Sequence, residues 1–319
     1  MNPFELNLPG VPAVGLGCAA LSYEGVSEDD ALGTVAAAWE AGIRTFDVAP
    51  FYGSGLAEHR LGRALAGMPR DAWTLSTKVG RLVDAPDSRG VGTGTHFDFT
   101  ADGVRRSIEE SLSRLGVDRI DILLIHDAAG DMETAIAEAW PVLAELRAQG
   151  VVRAIGAGMG QAPMLARFAT ETEMDVFLVA GPYGLLDRSA LDELFPRCAE
   201  RGITAMVAQM LQGGLIEGVP NPRFRYQPVP PEIEAQVARI AAICRRHGVP
   251  MAAAAIQFPL AHPVVSGVLT GPRNPAQFAQ NLGWLQTPIP AALWDDLKRD
   301  GLLEPDVPVP AGHAPDRQM

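Results

Sequence analysis

Apolar residues along this chain fall into eight short runs: 13–19 (AVGLGCA), 45–49 (TFDVA), 74–79 (TLSTKV), 121–126 (DILLIH), 153–158 (RAIGAG), 175–181 (DVFLVAG), 203–209 (ITAMVAQ) and 264–271 (VVSGVLTG). Each reads as continuous rather than as alternating polar and apolar, so each predicts a strand buried on both faces, as in a parallel sheet. Between the runs the period changes. Segments 27–42 (SEDDALGTVAAAWEAG) and 100–116 (TADGVRRSIEESLSRLG) are helical in pattern. They open on Ser27 and Thr100, which suit an N-cap, and close on Gly42 and Gly116, which suit a C-terminal cap. Segments 164–172, 190–202 and 232–248 continue the theme. Eight strands, most followed by a helix, predict a (β/α)8 TIM barrel with its active site at the C-terminal ends of the strands.

No close repeat and no linker divides the chain, so a single domain over 1–319 is expected. Two connections are long. Segment 80–100 is rich in Gly and Asp, and segment 212–232 is rich in Pro and Gly. Loops of that length in a compact domain are usually functional or mobile. The end, 308–319 (PVPAGHAPDRQM), predicts a flexible tail. A doubly wound nucleotide-binding fold would want GxGxxG after the first strand. The nearest match, 156–161 (GAGMGQ), comes mid-chain, ends in Gln161 and has no acidic residue placed for a ribose.

Composition changes the picture mainly by exclusion. The chain has 319 residues, 47% hydrophobic and 20% charged, which are ordinary globular values. A net charge of −12 leaves no basic excess for holding phosphates, so no nucleic-acid partner is expected. The start, MNPFELNLPG, has no basic region and no apolar leader core, and no run reaches the length of a membrane span. The three cysteines, Cys18, Cys198 and Cys244, form no CxxC pair. A reducing cytoplasm, no membrane, no disulfide framework and no metal site are expected, with a monomer or small homo-oligomer as the assembly.

Three of the strands end on an ionisable residue: Asp47, Lys78 and His126. Tyr52 stands in the turn above the strand that ends on Asp47. Neighbouring strand ends would bring the four together. A tyrosine with its ordinary pKa near 10 rarely exchanges protons at neutral pH unaided. A Lys ammonium about 4 Å away favours the phenolate by ~4 kcal/mol at an effective dielectric of ~20. Burial alone would discharge that lysine, and a neighbouring Asp keeps it charged. The His can then donate a hydrogen bond to a substrate oxygen, a set suited to proton transfer at a carbonyl or alcohol. Taken singly, the Asp–Lys pair also reads as a structural ion pair, the His as a satisfied structural residue and the Tyr as a surface aromatic. Their joint occurrence at these strand ends favours a site.

The motifs FDVAPFYGSG (46–55), STKVG (76–80) and LLIHD (123–127) resemble the Asp, Tyr, Lys and His motifs of the aldo-keto reductases. The resemblance runs from Gly15 to NLGWL at 281–285. It looks closest to the bacterial sugar dehydrogenases that oxidise L-fucose, D-arabinose or L-galactose at C1, a branch that also holds pyridoxal dehydrogenases. The resemblance implies a nicotinamide dinucleotide held without a Rossmann domain. It implies Tyr52 as general acid–base, Lys78 lowering its pKa, Asp47 pairing with Lys78, and His126 orienting the substrate oxygen.

For the cofactor, Asn274 and Pro275 suit a helix start that offers backbone N–H groups to an anion. Relatives that prefer NADP carry a Lys and an Arg where this chain has Gly271 and Gln277. NAD is therefore expected over NADP, with Arg273 as the one cation near a 2′-phosphate. By the same resemblance Gln277 and Asn281 contact the adenine. Backbone amides of Met210, Leu211, Gln212, Gly213, Gly214 and Leu215 cover the pyrophosphate. Relatives hold the nicotinamide carboxamide with an Asn, often beside a Ser, where this chain reads Gly158, Met159, Gly160, Gln161, so Gln161 is the amide left to do it. Where others have Arg or Gln, this chain has Gly181, Pro182 and Tyr183, and Tyr183 would stack on the nicotinamide. Cys18, His96, Phe97, Phe224 and Tyr226 are candidates for the substrate wall. The expected activity is oxidation of an aldose at C1 to a lactone. The alternatives are an NADPH-dependent carbonyl or aldehyde reductase, a pyridoxal dehydrogenase, or a cofactor-binding sensor with little turnover.

Overall fold

The fold was taken from a computed structural model, which describes residues 2–5, 7, 13–224 and 227–311. Its strands are β1 (Val14–Gly17), β2 (Thr45–Asp47), β3 (Thr74–Val79), β4 (Arg81–Asp84), β5 (Gly94–Phe97), β6 (Ile122–His126), β7 (Ala154–Met159), β8 (Val176–Ala180), β9 (Thr204–Ala208) and β10 (Val265–Thr270). Eight of them close into a parallel barrel in the order β1-β10-β9-β8-β7-β6-β3-β2. These eight are the eight apolar runs. Every residue of β3, β6 and β7 is buried, which is why those runs do not alternate. The expected caps are in place. Ser27 accepts from the Asp30 N–H and Thr100 from the Gly103 N–H, and Gly116 ends its helix in the left-handed region.

The loop expected over 80–100 contains the remaining two strands. β4 and β5 form an antiparallel hairpin with Arg81 opposite Phe97 and Asp84 opposite Gly94. Its turn is closed locally, with Asp87 Oδ1 accepting from the Arg89 and Val91 N–H groups at 2.8 and 3.1 Å. Leu82 and Val83 anchor it to the body of the protein. The Gly and Asp residues that marked a loop in the sequence belong to this turn. At the chain end, Val309 packs against the core, and residues 312–319 lie outside the described residues.

The barrel lumen is filled by Ile122, Leu124, Ala154, Val176, Leu178, Met206 and Leu269, with Phe4 packed among them. Phe4 enters beside Gly267, where an added Cβ would stand 2.4 Å from the ring. Side chains alternate along a strand, so parity decides what faces the lumen. Ile122 and Leu124 face inward, which puts His126 inward as well. Parallel pairing carries the parity across: Lys78 is level with Leu124, and Asp47 with Ser76. One end of the lumen is thus apolar and the C-terminal end is ionisable.

A second buried charge pair braces the outside of β3. Thr77 points away from the lumen and donates to Glu58 Oε1 at 2.7 Å. Glu58, on the helix Leu56–Leu65, also takes Arg114 Nε at 2.6 Å. The two charged side chains are 0% and 2% exposed. Removing one partner of a buried pair strands the other, at about 3–5 kcal/mol, whereas an apolar replacement of both is often neutral. The expected outcome for Glu58→Ala is a loss of that size in urea denaturation. The double variant Glu58→Met/Arg114→Leu should recover most of it, and a double variant no better than the single one would refute the pairing account.

Candidate active site

Asp47, Lys78 and His126 converge at the C-terminal mouth, as their parity requires. Lys78 Nζ donates to Asp47 Oδ1 at 2.7 Å and to the Val48 carbonyl at 2.9 Å. Ser76 Oγ donates to Asp47 Oδ2 at 2.8 Å, so both carboxylate oxygens are engaged. Lys78 is 1% exposed. Burial alone would lower its pKa, but the Asp47 carboxylate and then Tyr52 outweigh that, and the net direction is upward. Lys78 is a fixed, buried, charged ammonium. Its Nζ lies 5.0 Å from the centroid of the Tyr52 ring.

Tyr52 is held over this pair by a turn that other residues cannot make. Gly53, Ser54 and Gly55 all have positive φ, at 60°, 50° and 94°. A Cβ on Gly53 would meet Ser22 Cβ at 2.5 Å, and one on Gly55 would meet Arg114 Cδ at 2.7 Å. The two glycines are therefore required by close approach as well as by backbone conformation. The His126 ring meets Tyr52 edge-on at 5.9 Å between centroids. Burial pushes the His126 pKa well below its ordinary value, and the charges of Lys78 and Arg81 push it the same way. It is a neutral imidazole at physiological pH, with its buried Nδ1 unpartnered among the described residues.

The rim of the mouth was not legible in the sequence. Arg81, at the start of the hairpin, lies between two aromatic rings, 4.1 Å from the Phe51 centroid and 4.0 Å from the Phe97 centroid. Arg81 Nη2 reaches Asp127 Oδ2 at 3.2 Å, and that same oxygen is 3.6 Å from His126 Nε2. Asp127 adopts a left-handed backbone with φ 49°. The available signal was Asp127 itself, adjacent to His126 at a strand end; Arg81 and Phe51 gave none without the hairpin.

Of the expected substrate-wall residues, Phe97 is on this rim, stacked at 5.5 Å on Phe99. His96 is exposed on the hairpin and pairs with Asp84 at 2.6 Å. Cys18 is fully buried in the core with its thiol pKa raised by burial, so it acts as a small apolar residue and offers nothing to the mouth. Phe224 is buried in the core rather than presented to the mouth. Tyr226 lies outside the described residues.

The side opposite the hairpin has the features a dinucleotide needs. The helix Pro275–Gln286 starts at Asn274, whose side chain accepts from the Gln277 N–H, and its first turn is exposed. Gly271 and Gln277 are exposed there, Asn281 is buried, and the Arg273 guanidinium lies 5.3 Å from the Tyr23 ring centroid. After β9 the chain runs through left-handed Gln209, Gln212, Gly213 and Gly214, with Met210, Gln212 and Leu215 buried and Leu211 half-buried. Within it the N–H groups of Gln212, Gly214 and Leu215 donate to the carbonyls of Gln209, Leu211 and Gln212 at 3.0, 3.2 and 3.1 Å, so the expected pyrophosphate cover by six successive amides is not presented as it stands. At the end of β7, a Cβ on Gly158 would stand in ordinary contact with Lys78 Cε at 3.5 Å and more tightly against Leu178 Cβ at 3.3 Å.

One expectation about the nicotinamide end differs from the structure. Tyr183 is fully buried, with its ring 4.7 Å from Phe195 and 5.4 Å from Phe258. It packs between barrel and helices and has no face to stack on a ligand; the backbone turn at Gly181, φ 108°, carries the chain away from the mouth before Tyr183 is reached. Gln161 is exposed beside the end of β7. Two further amides lie beside Gly181, where an added Cβ would be 3.7 Å from Gln209 Oε1 and 3.9 Å from Gln212 Nε2. These side chains came from the strand after the one the sequence pointed to. Gln212 Nε2 is buried and donates to the Gly181 carbonyl at 3.2 Å, which fixes that turn, whereas the exposed first turn of the helix Pro275–Gln286 fits the anionic end of a nicotinamide dinucleotide.

Among the described residues, no three His, Cys, Asp or Glu side chains stand together to hold a metal, and no helix is long and apolar enough to cross a membrane. The pattern of the aldo/keto reductase family matches residues 13–299. The chain is 42% identical over 312 residues to the D-threo-aldose 1-dehydrogenase of a Pseudomonas species, covering 92% of this chain and 95% of that one. It is 36% identical to pyridoxal 4-dehydrogenase of Microbacterium luteolum, again over 92% and 95%. To L-galactose dehydrogenase of Arabidopsis thaliana it is 34% identical over 88% of each chain. Among solved structures, the holo form of an aldo-keto reductase from Bacillus halodurans superposes with a TM-score of 0.74 at 26% identity, over 92% of this chain and 93% of that one. With the barrel and nearly the whole length in agreement, the chain belongs to the aldo/keto reductase family.

Proposed function

We propose that this NAD(P)-dependent oxidoreductase oxidises an aldose at C1 to the corresponding lactone. The observation that carries the mechanism is the buried, charged Lys78 beneath Tyr52. Its positive charge favours the phenolate of Tyr52, which takes the proton from the C1 hydroxyl. Neutral His126 donates its N–H to the same oxygen and orients it without adding a second cation beside Lys78. Asp47 keeps Lys78 charged and in place. A nicotinamide dinucleotide, when bound, accepts the hydride that leaves C1. The residues that would hold it are the N-terminus of the helix Pro275–Gln286 for the adenosine end, the exposed Gly213 in the loop after β9 for the pyrophosphate, and the exposed amide of Gln161 for the carboxamide. The 42% identity to a D-threo-aldose 1-dehydrogenase supports the sugar substrate.

NAD is the preferred cofactor in this reading. Gly271 brings no cation, and Arg273 is already close to the Tyr23 ring and the Glu217 carboxylate. A carboxylate that interacts electrostatically with this guanidinium disfavours a 2′-phosphate there. Fluorescence titration should give a lower Kd for NAD than for NADP, and Glu217→Gln should narrow the gap. Tighter NADP binding by the unmodified protein would overturn the preference and leave the aldose reading standing.

The substrate is tested by following reduced-nicotinamide absorbance with L-fucose, D-arabinose, L-galactose and pyridoxal. A rate with an aldose is expected. A rate with pyridoxal alone, or tight cofactor binding without turnover, sinks the reading. With the active sugar, Tyr52→Phe should lower kcat by at least ~10²-fold, with cofactor Kd changed only a few-fold; retained activity would refute Tyr52 as the base. In Asp47→Asn, burial of Lys78 is no longer opposed, its pKa falls, and less ammonium is present to favour the phenolate. The rising limb of the pH profile for oxidation should therefore move to higher pH, and an unmoved limb would count against the Asp47–Lys78–Tyr52 linkage.

A further inference from the structure

Beyond Tyr52 and His126, the mouth offers one acidic group whose carboxylate is only half used. Asp127 follows His126 directly, and its left-handed backbone, φ 49° and ψ 43°, turns the side chain back beside the imidazole. Non-glycine residues adopt this conformation seldom, and Asp and Asn tolerate it best. The backbone is fixed there by the Asp127 N–H donating to the Gly158 carbonyl at 3.1 Å. Arg81 Nη2 engages Oδ2 at 3.2 Å, a single contact rather than a two-pronged one. Oδ1 has no partner among the described residues, and the side chain is 37% exposed. An ionised carboxylate offers about four lone-pair sites, so this one retains acceptor capacity directed at the mouth.

The surroundings narrow the ligand. Phe51 and Phe97 are 45% and 49% exposed, and both rings border Arg81. Exposed large aromatics grouped at a polar site mark a surface for binding. An acceptor, a guanidinium and two apolar rings together suit a molecule with hydroxyls on its edges and C–H groups on its faces. A substrate whose C1 oxygen is held between Tyr52 and His126 has its next carbon in reach of the group beside His126.

We infer that Asp127, steadied by Arg81 between Phe51 and Phe97, recognises the sugar by accepting the hydroxyl on the carbon adjacent to C1. The inference rests on the aldose reading above and adds to it the residue that selects a 2-hydroxylated substrate. No bond is made or broken at Asp127; it binds and selects.

The test compares kcat/KM for the active aldose with that for its 2-deoxy analogue, on each enzyme separately. A hydrogen bond to a charged group corresponds to between about tenfold and about a hundredfold in this ratio for the unmodified protein. Asp127→Gly keeps the left-handed backbone and removes the carboxylate, and should bring the ratio to within about twofold of unity. Asp127→Asn keeps the shape and drops the charge, and should give an intermediate ratio, since charge-assisted hydrogen bonds are roughly twice as strong as neutral ones. A purely structural role would lower both substrates together and leave the ratio at its original value, which overturns the inference. An unmodified enzyme that uses the 2-deoxy sugar as well as the parent overturns it without any variant. An unmodified enzyme inactive on every aldose overturns the aldose reading, and this inference with it.

Discussion

A lysine ammonium that is 1% exposed can stay charged only if its surroundings replace the water it has lost. Here the replacement is the Asp47 carboxylate at 2.7 Å and the Val48 carbonyl at 2.9 Å, and Asp47 in turn is held by Ser76. All four groups belong to β2, β3 and the residue just past β2. Pairing of those two strands therefore builds the ion pair, and the loops above need not be ordered for it to form. The rest of the site is arranged around that charge. Gly158 lies beside Lys78, and Tyr52 is brought over the lysine by a turn that two glycines make possible.

β3 carries this load on both faces. Lys78 faces the lumen, and its neighbour Thr77 faces outward to Glu58, which is paired with Arg114. Arg114 also lies against Gly55, the last residue of the Tyr52 turn. The two buried pairs are thus joined through one strand and one turn. Displacing the outer pair would move the strand that holds Lys78 and the turn that holds Tyr52 together. This links the outer ion pair to the one at the barrel mouth, and it depends on the strict alternation of side chains along a strand.

The eight barrel strands could be read from the sequence because burial on both faces leaves an unbroken apolar run, and few other structures do. The ionisable strand ends could be read for the same reason: Asp47, Lys78 and His126 interrupt runs that are otherwise apolar. The hairpin β4–β5 could not. Only Leu82 and Val83 are buried in it, and the Gly and Asp content of its turn dominates the segment. With the hairpin unread, Arg81 had no place, and Asp127 was one more polar residue after a strand. Tyr183 misled in the opposite sense. An aromatic just past a strand end can face the mouth or the helices, and the direction is decided by the backbone at Gly181 rather than by residue type. The packing of Gln209 and Gln212 against Gly181 was not legible either, because it is made by side chains from the next strand.

Arg81 ties the rim to the chemistry. Lys78 and Arg81 both depress the His126 pKa, after burial, and the resulting neutral imidazole can donate to a substrate oxygen without competing with Lys78 for the role of cation. Arg81 also engages Asp127, whose own pKa burial raises and Arg81 draws back down. The net direction for Asp127 is still upward, so a single guanidinium partly offsets the burial of a rim carboxylate while helping to keep the adjacent histidine uncharged. Replacing it by a neutral residue would act on both groups at once, toward a protonated carboxyl and toward a protonated imidazole. One charge, held between two aromatic rings on an element outside the barrel, thus acts electrostatically on both His126 and Asp127.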